Sequence, residues 1–299
     1  MAESRTVVVT GASRGLGLAS AVHLYHRGWR VIAAMRSVDA GLERLRESTG
    51  AAPGDARLVG VALDLTEPPS IERAAKEILE LAGAPDALVH NAGISAAGMV
   101  EETPIALWER MFATNLFGPV ALTRALLPAM RAAGHGRIVL VSSEAGVRGM
   151  PATATYSAVK GAVERWGEAM AGEVSPFGIG VTVLIAGTYA TDIITDAGTT
   201  DARDLDGPYA RLHRTIDRRG RLLMARAARP PERFVGGLAA ALADSRAYAR
   251  RPVGPDARIL LLANGLLPNR IMHQMTRLLL GIPRFGGLRS ESDRAQPNI

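Results

Sequence analysis

Seven short apolar runs, separated by stretches of helical periodicity, constrain this 299-residue chain more than any other feature. They are RTVVVT (5–10), WRVIAAM (29–35), ARLVGVALDL (56–65), DALVHNAG (86–93), GRIVLVSS (136–143), GVTVLIAG (180–187) and ARILLLA (257–263). Val, Ile, Leu and Ala follow one another in them without polar alternation, the pattern of strands covered on both faces. Amphipathic stretches at 15–26, 69–82, 104–132, 152–172 and 231–244 lie between. Repeated β-α units predict an α/β fold, a doubly wound and mostly parallel sheet with right-handed crossovers.

Two regions break that rhythm. Residues 188–229 hold a polar cluster, DAGTTDARDLDG, and then an arginine-rich amphipathic stretch, as a lid inserted before the last helix would. Residues 264–299 follow the last apolar run. The expected organisation is one domain over 1–263, with 188–229 as its lid, and a C-terminal extension over 264–299 packed on it. Within that extension Ile271, Met272, Met275, Leu278, Leu279 and Ile282 share a helical stripe. A wall of a substrate cleft is the first expectation for it; a subunit contact or a membrane-surface helix are the others.

The composition removes several classes of function. No cysteine is present, so disulfides and thiolate metal sites are excluded. The six histidines show no ligand-like spacing, and no metal is expected. A net charge of +6 raises the question of nucleic acid. However, the arginines are dispersed among acids and aromatics are only 4%, which argues against it. With no apolar run of signal-peptide or membrane-spanning character, a cytoplasmic location is expected and a membrane partner is not.

After the first run comes TGASRGLG, with Gly11, Gly15 and Gly17 at a strand-to-helix junction. Glycine permits the sharp turn, lets a pyrophosphate approach the backbone, and lets helix and strand pack closely; a tight turn with no ligand is the bland alternative. The second run ends in AAMRSVD, so Arg36 stands where an acid for ribose hydroxyls would be, and Arg14 lies in the glycine loop. Two guanidiniums suit a 2′-phosphate, which makes NADP(H) the expected cofactor and NAD the alternative, through Asp39.

Of 35 basic residues only Lys76 and Lys160 are lysine, and Lys160 follows Tyr156 by four residues within YSAVK. On a helix the two share a face. An ammonium beside a phenol favours phenolate, lowering a pKa that is otherwise near roughly 10. The compact, rotatable triple donor of lysine also reaches ribose hydroxyls, where arginine's rigid fork fits poorly. A solvated lysine beside a half-buried tyrosine is the bland alternative.

Together these motifs resemble the short-chain dehydrogenase/reductase family. TGASRGLG is similar to its TGxxxGxG loop, HNAG supplies Asn91, Ala92 and Gly93 of its NAG motif, and Asp64–Leu65 falls at its adenine-contacting position. Asn115 in ATNLFG, Ser143 in VSSEAG, Tyr156 and Lys160 match its catalytic tetrad. The resemblance implies a Rossmann-type sheet of about seven strands and nicotinamide-dependent interconversion of a ketone and a secondary alcohol. It implies cofactor contacts from Gly11, Ser13, Arg14, Gly15, Leu16, Gly17, Arg36, Asp64, Leu65, Asn91, Ala92, Gly93, Tyr156, Lys160, Gly187 and Thr191. Ser143 would hydrogen-bond the substrate oxygen, Tyr156 would exchange its proton, and Asn115 would anchor a water. One departure stands out: AGTYAT puts Ala186 where the family carries the proline of PGxxxT, so the nicotinamide loop is expected to be less rigid.

Substrate contacts are expected from Ser143, Tyr156 and Tyr189, with Ile193, Ile194, Tyr209, Leu212, Ile216, Val147 and Met150 lining an apolar pocket. A small hydrophobic carbonyl or alcohol, lipid-like or steroid-like, is the expected substrate, and a dimer or tetramer the expected assembly. The alternatives are a cofactor-binding scaffold without turnover and a peripheral membrane-associated dehydrogenase.

Overall fold

A computed structural model describes residues 5–194 and 199–288. Seven parallel strands form the main sheet: β1 (Thr6–Thr10), β2 (Arg30–Met35), β3 (Leu58–Ala62), β4 (Ala87–His90), β6 (Gly136–Ser143), β7 (Ile179–Ala186) and β9 (Tyr248–Val253). Their order is β3-β2-β1-β4-β6-β7-β9. The order reverses between β1 and β4, the point at which doubly wound sheets take ligands at the carboxyl ends of their strands. Helices cover both faces. α3 (Pro68–Ala82), α5 (Gly118–Ala133) and α7 (Ala154–Val174) close one core through Ile78, Leu126 and Val163. α1 (Gly15–His26), α2 (Val38–Thr49) and α9 (Val235–Leu242) close the other through Leu24, Leu45 and Leu238. β1, β2, β4, β6 and β7 are buried almost throughout, as their unalternating composition requires, while the edge strands β3 and β9 are partly exposed.

Three sequence expectations are corrected. The seventh strand is not ARILLLA but YARRPV, residues 248–253. As an edge strand paired only with β7, β9 tolerates Pro252, and its arginines are neutralised: Arg250 by Glu164, Arg251 by Asp244. ARILLLA lies in α10 (Pro255–Leu266), opened by Pro255 at its first position, so the boundary expected at residue 263 falls inside a helix. The stretch 104–132 is not one helix either: α4 (Ile105–Phe112) passes into a π-helical segment, Ala113–Phe117, before α5. In addition, α2 leaves little mark in the sequence, because its few apolar residues sit among charged ones.

The region 188–229 holds, in its described residues, more regular structure than its composition suggests. Its β8 (Thr199–Asp201) pairs in parallel with β5 (Ser95–Ala97), outside the main sheet. Its α8 (Ala210–Ala227) is latched by the fully buried His213, whose Nε2 lies 2.7 Å from Glu102 Oε2. Arg203 bridges Asp201 and Asp217, and Tyr209 donates to Glu101. α11 (Asn269–Leu280) packs on α8, where Arg219 donates to the terminal carbonyl of Leu278 at 2.7 Å. Residues 195–198 and 289–299, with the Ile194 side chain, lie outside the described part.

Candidate active site

The glycine loop is tied to β4 before any ligand is considered. Thr10 Oγ1 accepts the N–H groups of Asn91 and Ala92, each at 3.1 Å, and Asn91 Nδ2 donates back to the carbonyls of Thr10 and Gly11. Gly11 has φ +67 and Gly15 φ +55. A Cβ on Gly11 would stand 2.8 Å from Ala92 Cα, and one on Gly17 2.1 Å from the Gly11 carbonyl oxygen. Gly15 faces Thr191, whose Cγ2 would be 3.3 Å from an added Cβ, so the loop after β7 arches over the glycines. The first turn of α1 has no side-chain cap on its N–H groups. The residues fit a dinucleotide: a Cβ-free cradle beneath a helix N-terminus that attracts phosphate.

Past the carboxyl end of β2, Arg36 is exposed, and Arg14 is exposed and 3.3 Å from Asp192. Burial works against the Asp64 charge, but hydrogen bonds from Thr66 and the fields of Arg36 and Arg110 hold its carboxyl below the usual value. Sequence reading missed Arg44 on α2, which donates to the Ser13 carbonyl at 3.4 Å and brings another guanidinium to this rim. Leu65 is a core side chain 6% exposed, which leaves Asp64 as the polar group of that pair. Leu16 packs partly buried against the sheet.

At the chemical end, Asn115 sits inside the π-helical segment. Its Nδ2 donates to Met111 O and Ile94 O, and its Oδ1 accepts from Ile94 N–H. In this widened turn the side chain reaches both its own helix at Met111 and the segment between β4 and β5 at Ile94; π-bulges occur frequently at functional sites. Gly93 lies between Asn115 and Lys160; a Cβ there would be 2.6 Å from Asn115 Oδ1 and 3.6 Å from Lys160 Nζ. Lys160 is 5% exposed and donates to the Val141 carbonyl at 2.9 Å, with Nζ 5.7 Å from the centre of the Tyr156 ring. Ser143 neighbours the Tyr156 phenol and acts to lower its pKa. Ser142, the neighbour of Ser143, is buried and donates to Glu164 Oε1.

Electrostatics in this state differ from the expectation in one respect. Burial pushes the Tyr156 phenol up to about 12, with Ser143 pulling the other way, whereas an ammonium-lowered phenol was expected. At 5.7 Å from the ring centre the ammonium is oriented by Val141 and does not offset that burial. Burial also draws Lys160 down to about 8, opposed by the carboxylate of Glu164 one turn further along α7. Glu164 is 1% exposed, and its other oxygen is held by Arg250 of β9.

The loop that lacks the family's proline has another anchor. Asp256, at the start of α10, accepts the Thr188 N–H at 2.7 Å, and Arg229 Nη1 lies 3.7 Å from its other oxygen. Gly187 donates to Val253 O, Arg229 N–H donates to Thr188 O and Ala190 N–H to Arg229 O. Tyr189 is correspondingly not a substrate contact. It is 3% exposed, its ring sits 5.6 Å from Phe234 edge-on, and its hydroxyl donates to Val253 O.

A cavity of about 990 Å³ lies beside the site, bounded by Ala145, Met150, Ala154, Ser157, Leu212, Thr276 and Phe285 among others. Met150 and Leu212 line it as expected; Val147 packs against the core instead.

The sequence model of the family described as short chain dehydrogenase matches residues 5–202. The chain belongs to that family. Dehydrogenase/reductase SDR family member 7B of Xenopus tropicalis is 36% identical over 202 residues, 67% of this chain and 65% of the relative, so the match spans just under two thirds of that curated relative's length. The uncharacterized oxidoreductase YbbO of Escherichia coli strain K12 is 32% identical over 91% of this chain and 93% of its own. Among solved structures, a short-chain dehydrogenase from Streptomyces avermitilis superposes with a TM-score of 0.77 at 29% identity, covering 92% of this chain and 96% of the other. Another, from Beutenbergia cavernae, holds NADP at low occupancy and superposes with a TM-score of 0.69 at 29% identity, covering 87% and 97%.

Proposed function

We propose that the chain is an NADP(H)-dependent oxidoreductase that interconverts a ketone and a secondary alcohol on a hydrophobic substrate. The observation that carries this reading is the convergence of Asn115, Ser143, Tyr156 and Lys160 at the ends of β4 and β6, beside a glycine cradle roofed by Thr191. Gly11, Gly15 and Gly17 with Asn91, Ala92 and Gly93 would hold the dinucleotide, Asp64 its adenine, Lys160 its ribose and Thr191 its carboxamide. Bound there, the nicotinamide would supply or accept the hydride. In reduction Ser143 hydrogen-bonds the carbonyl oxygen and Tyr156 gives it a proton. In oxidation the phenolate of Tyr156 takes that proton back. Asn115 holds the backbone of Ile94 and would anchor a water through which Tyr156 is reprotonated.

The preference for NADP(H) rests on Arg14 and Arg36 at the adenosine rim, where each charge-assisted hydrogen bond to a 2′-phosphate is worth roughly 1.5–3 kcal/mol. Titration of both cofactors tests it: wild type should bind NADPH roughly tenfold or more tighter than NADH. Arg36→Asp should erase or reverse that preference. Tighter binding of NADH by wild type contradicts the assignment. The apolar character of the substrate rests on Met150, Leu212 and Phe285 around the cavity beside the site. A panel of small and bulky ketones, followed by nicotinamide absorbance, checks it.

A further inference from the structure

Most of the α11 stripe faces the opposite way from the sequence expectation. α11 directs His273, Gln274, Thr276 and Arg277 toward the cavity; of the apolar stripe, Met272 is buried at 3% exposure and Ile282, just past the helix, lines the cavity. Ile271, Met275, Leu278 and Leu279 are 46%, 42%, 60% and 54% exposed. α10, which packs against α11, leaves Ile259, Leu262 and Leu266 exposed at one-turn spacing. An apolar surface of this extent on consecutive helices marks a binding face.

Its charge decides what binds there. The neighbouring α8 carries Arg211, Arg214, Arg218, Arg219, Arg221 and Arg226 against one acid, Asp217, already held by Arg203. α10, α11 and the segment after them add Arg258, Arg270, Arg277 and Arg284 against Asp256, which is held by Thr188 and Arg229. A second copy of the chain docking by twofold symmetry would set this patch against itself, arginine facing arginine. An anionic lipid surface satisfies both halves of the pattern: headgroups take the arginines, and the acyl boundary takes the leucines. None of the described helices is long and apolar enough to cross a membrane, so the contact is one of lying on the surface.

We infer that the α8–α10–α11 face docks on the surface of an anionic bilayer, with α11 lying between the lipid and the cavity. This goes beyond the proposed reaction and does not depend on it. The test is sedimentation of the full chain with vesicles of phosphatidylcholine alone, and of phosphatidylcholine and phosphatidylserine at about two to one. Binding to the mixed vesicles should be roughly tenfold or more stronger and should weaken with salt. Ile271→Glu with Leu278→Glu changes only exposed side chains outside the cavity lining, and should abolish binding while turnover of a water-soluble ketone stays at the wild-type level. Arg218→Gln with Arg221→Gln should remove the preference for anionic vesicles. Absence of binding to either vesicle overturns the inference, as does binding that the glutamate variant leaves unchanged, which would be adsorption by charge alone. So does a light-scattering result in which wild type is a dimer and the glutamate variant a monomer while neither pellets. A loss of turnover in the wild type would bear on the proposed reaction only.

Discussion

Lys160 is held by the Val141 carbonyl, faces Gly93 without obstruction and has Glu164 one turn behind it. Arginine there would keep the charge, but its longer planar fork has no room between Gly93 and Val141 and cannot serve ribose and phenol together. Lys160→Arg should therefore lower kcat and raise the cofactor KM, each by roughly tenfold or more, about 1.4 kcal/mol apiece. Steady-state kinetics at varied cofactor checks it, and wild-type behaviour in both parameters contradicts it. The phenol, pushed up to about 12, keeps its proton through neutral pH. Ketone reduction should accordingly be flat across neutrality and fall only in strong alkali, while alcohol oxidation, which needs phenolate, should rise with pH. Glu144, next to Ser143, offers a test in stability. Burial, and then Asp256, push its carboxyl from 4.5 up to about 7, against the pull of Arg229. Because the folded value lies above the unfolded one, its contribution is complete below pH 4.5 and is lost as pH rises through 7. Glu144→Gln should remove that loss, raising Tm above pH 7 by a few degrees, on the order of 1 kcal/mol after solvent screening, with no gain in acid.

At the scale of elements, the loop 187–191 shows how a missing proline is replaced. Asp256 satisfies the Thr188 N–H from the start of α10, and Gly187 and Gly254 leave space for its carboxylate. Asp256→Ala should leave that N–H unpaired, costing roughly 1–3 kcal/mol of loop order. The cofactor KM should then rise more than the ketone KM, and equal effects on the two would assign Asp256 to general stability. Fold and site differ in how far the sequence reveals them. Strands β1 to β7 of the main sheet could be read because continuous Val and Ile declare burial on both faces. β9 could not, since its arginines are neutralised by Glu164 and Asp244, partners distant or hidden in the sequence. Asn115 could be named from its motif, yet the π turn that aims it left no sign in local periodicity. The lid's His213–Glu102 pair joins residues far apart in the chain, and only the tertiary structure discloses it.

For the molecule as a whole, the sheet delivers the glycine cradle and the acid/base group to one crevice, and the C-terminal helices complete its surroundings. α11 borders the cavity with its polar side, which the expectation of an apolar cleft wall did not anticipate, because a stripe's period does not say which way it faces. Everything proposed for catalysis converges on one phenol. The most direct measurement is turnover of Tyr156→Phe at saturating NADPH, with cofactor affinity determined by fluorescence titration in the same preparation. Loss of roughly 10²–10⁴-fold in turnover, with cofactor affinity within a few-fold of wild type, is the predicted result. Undiminished turnover in that variant would contradict the assignment of Tyr156 as the general acid/base.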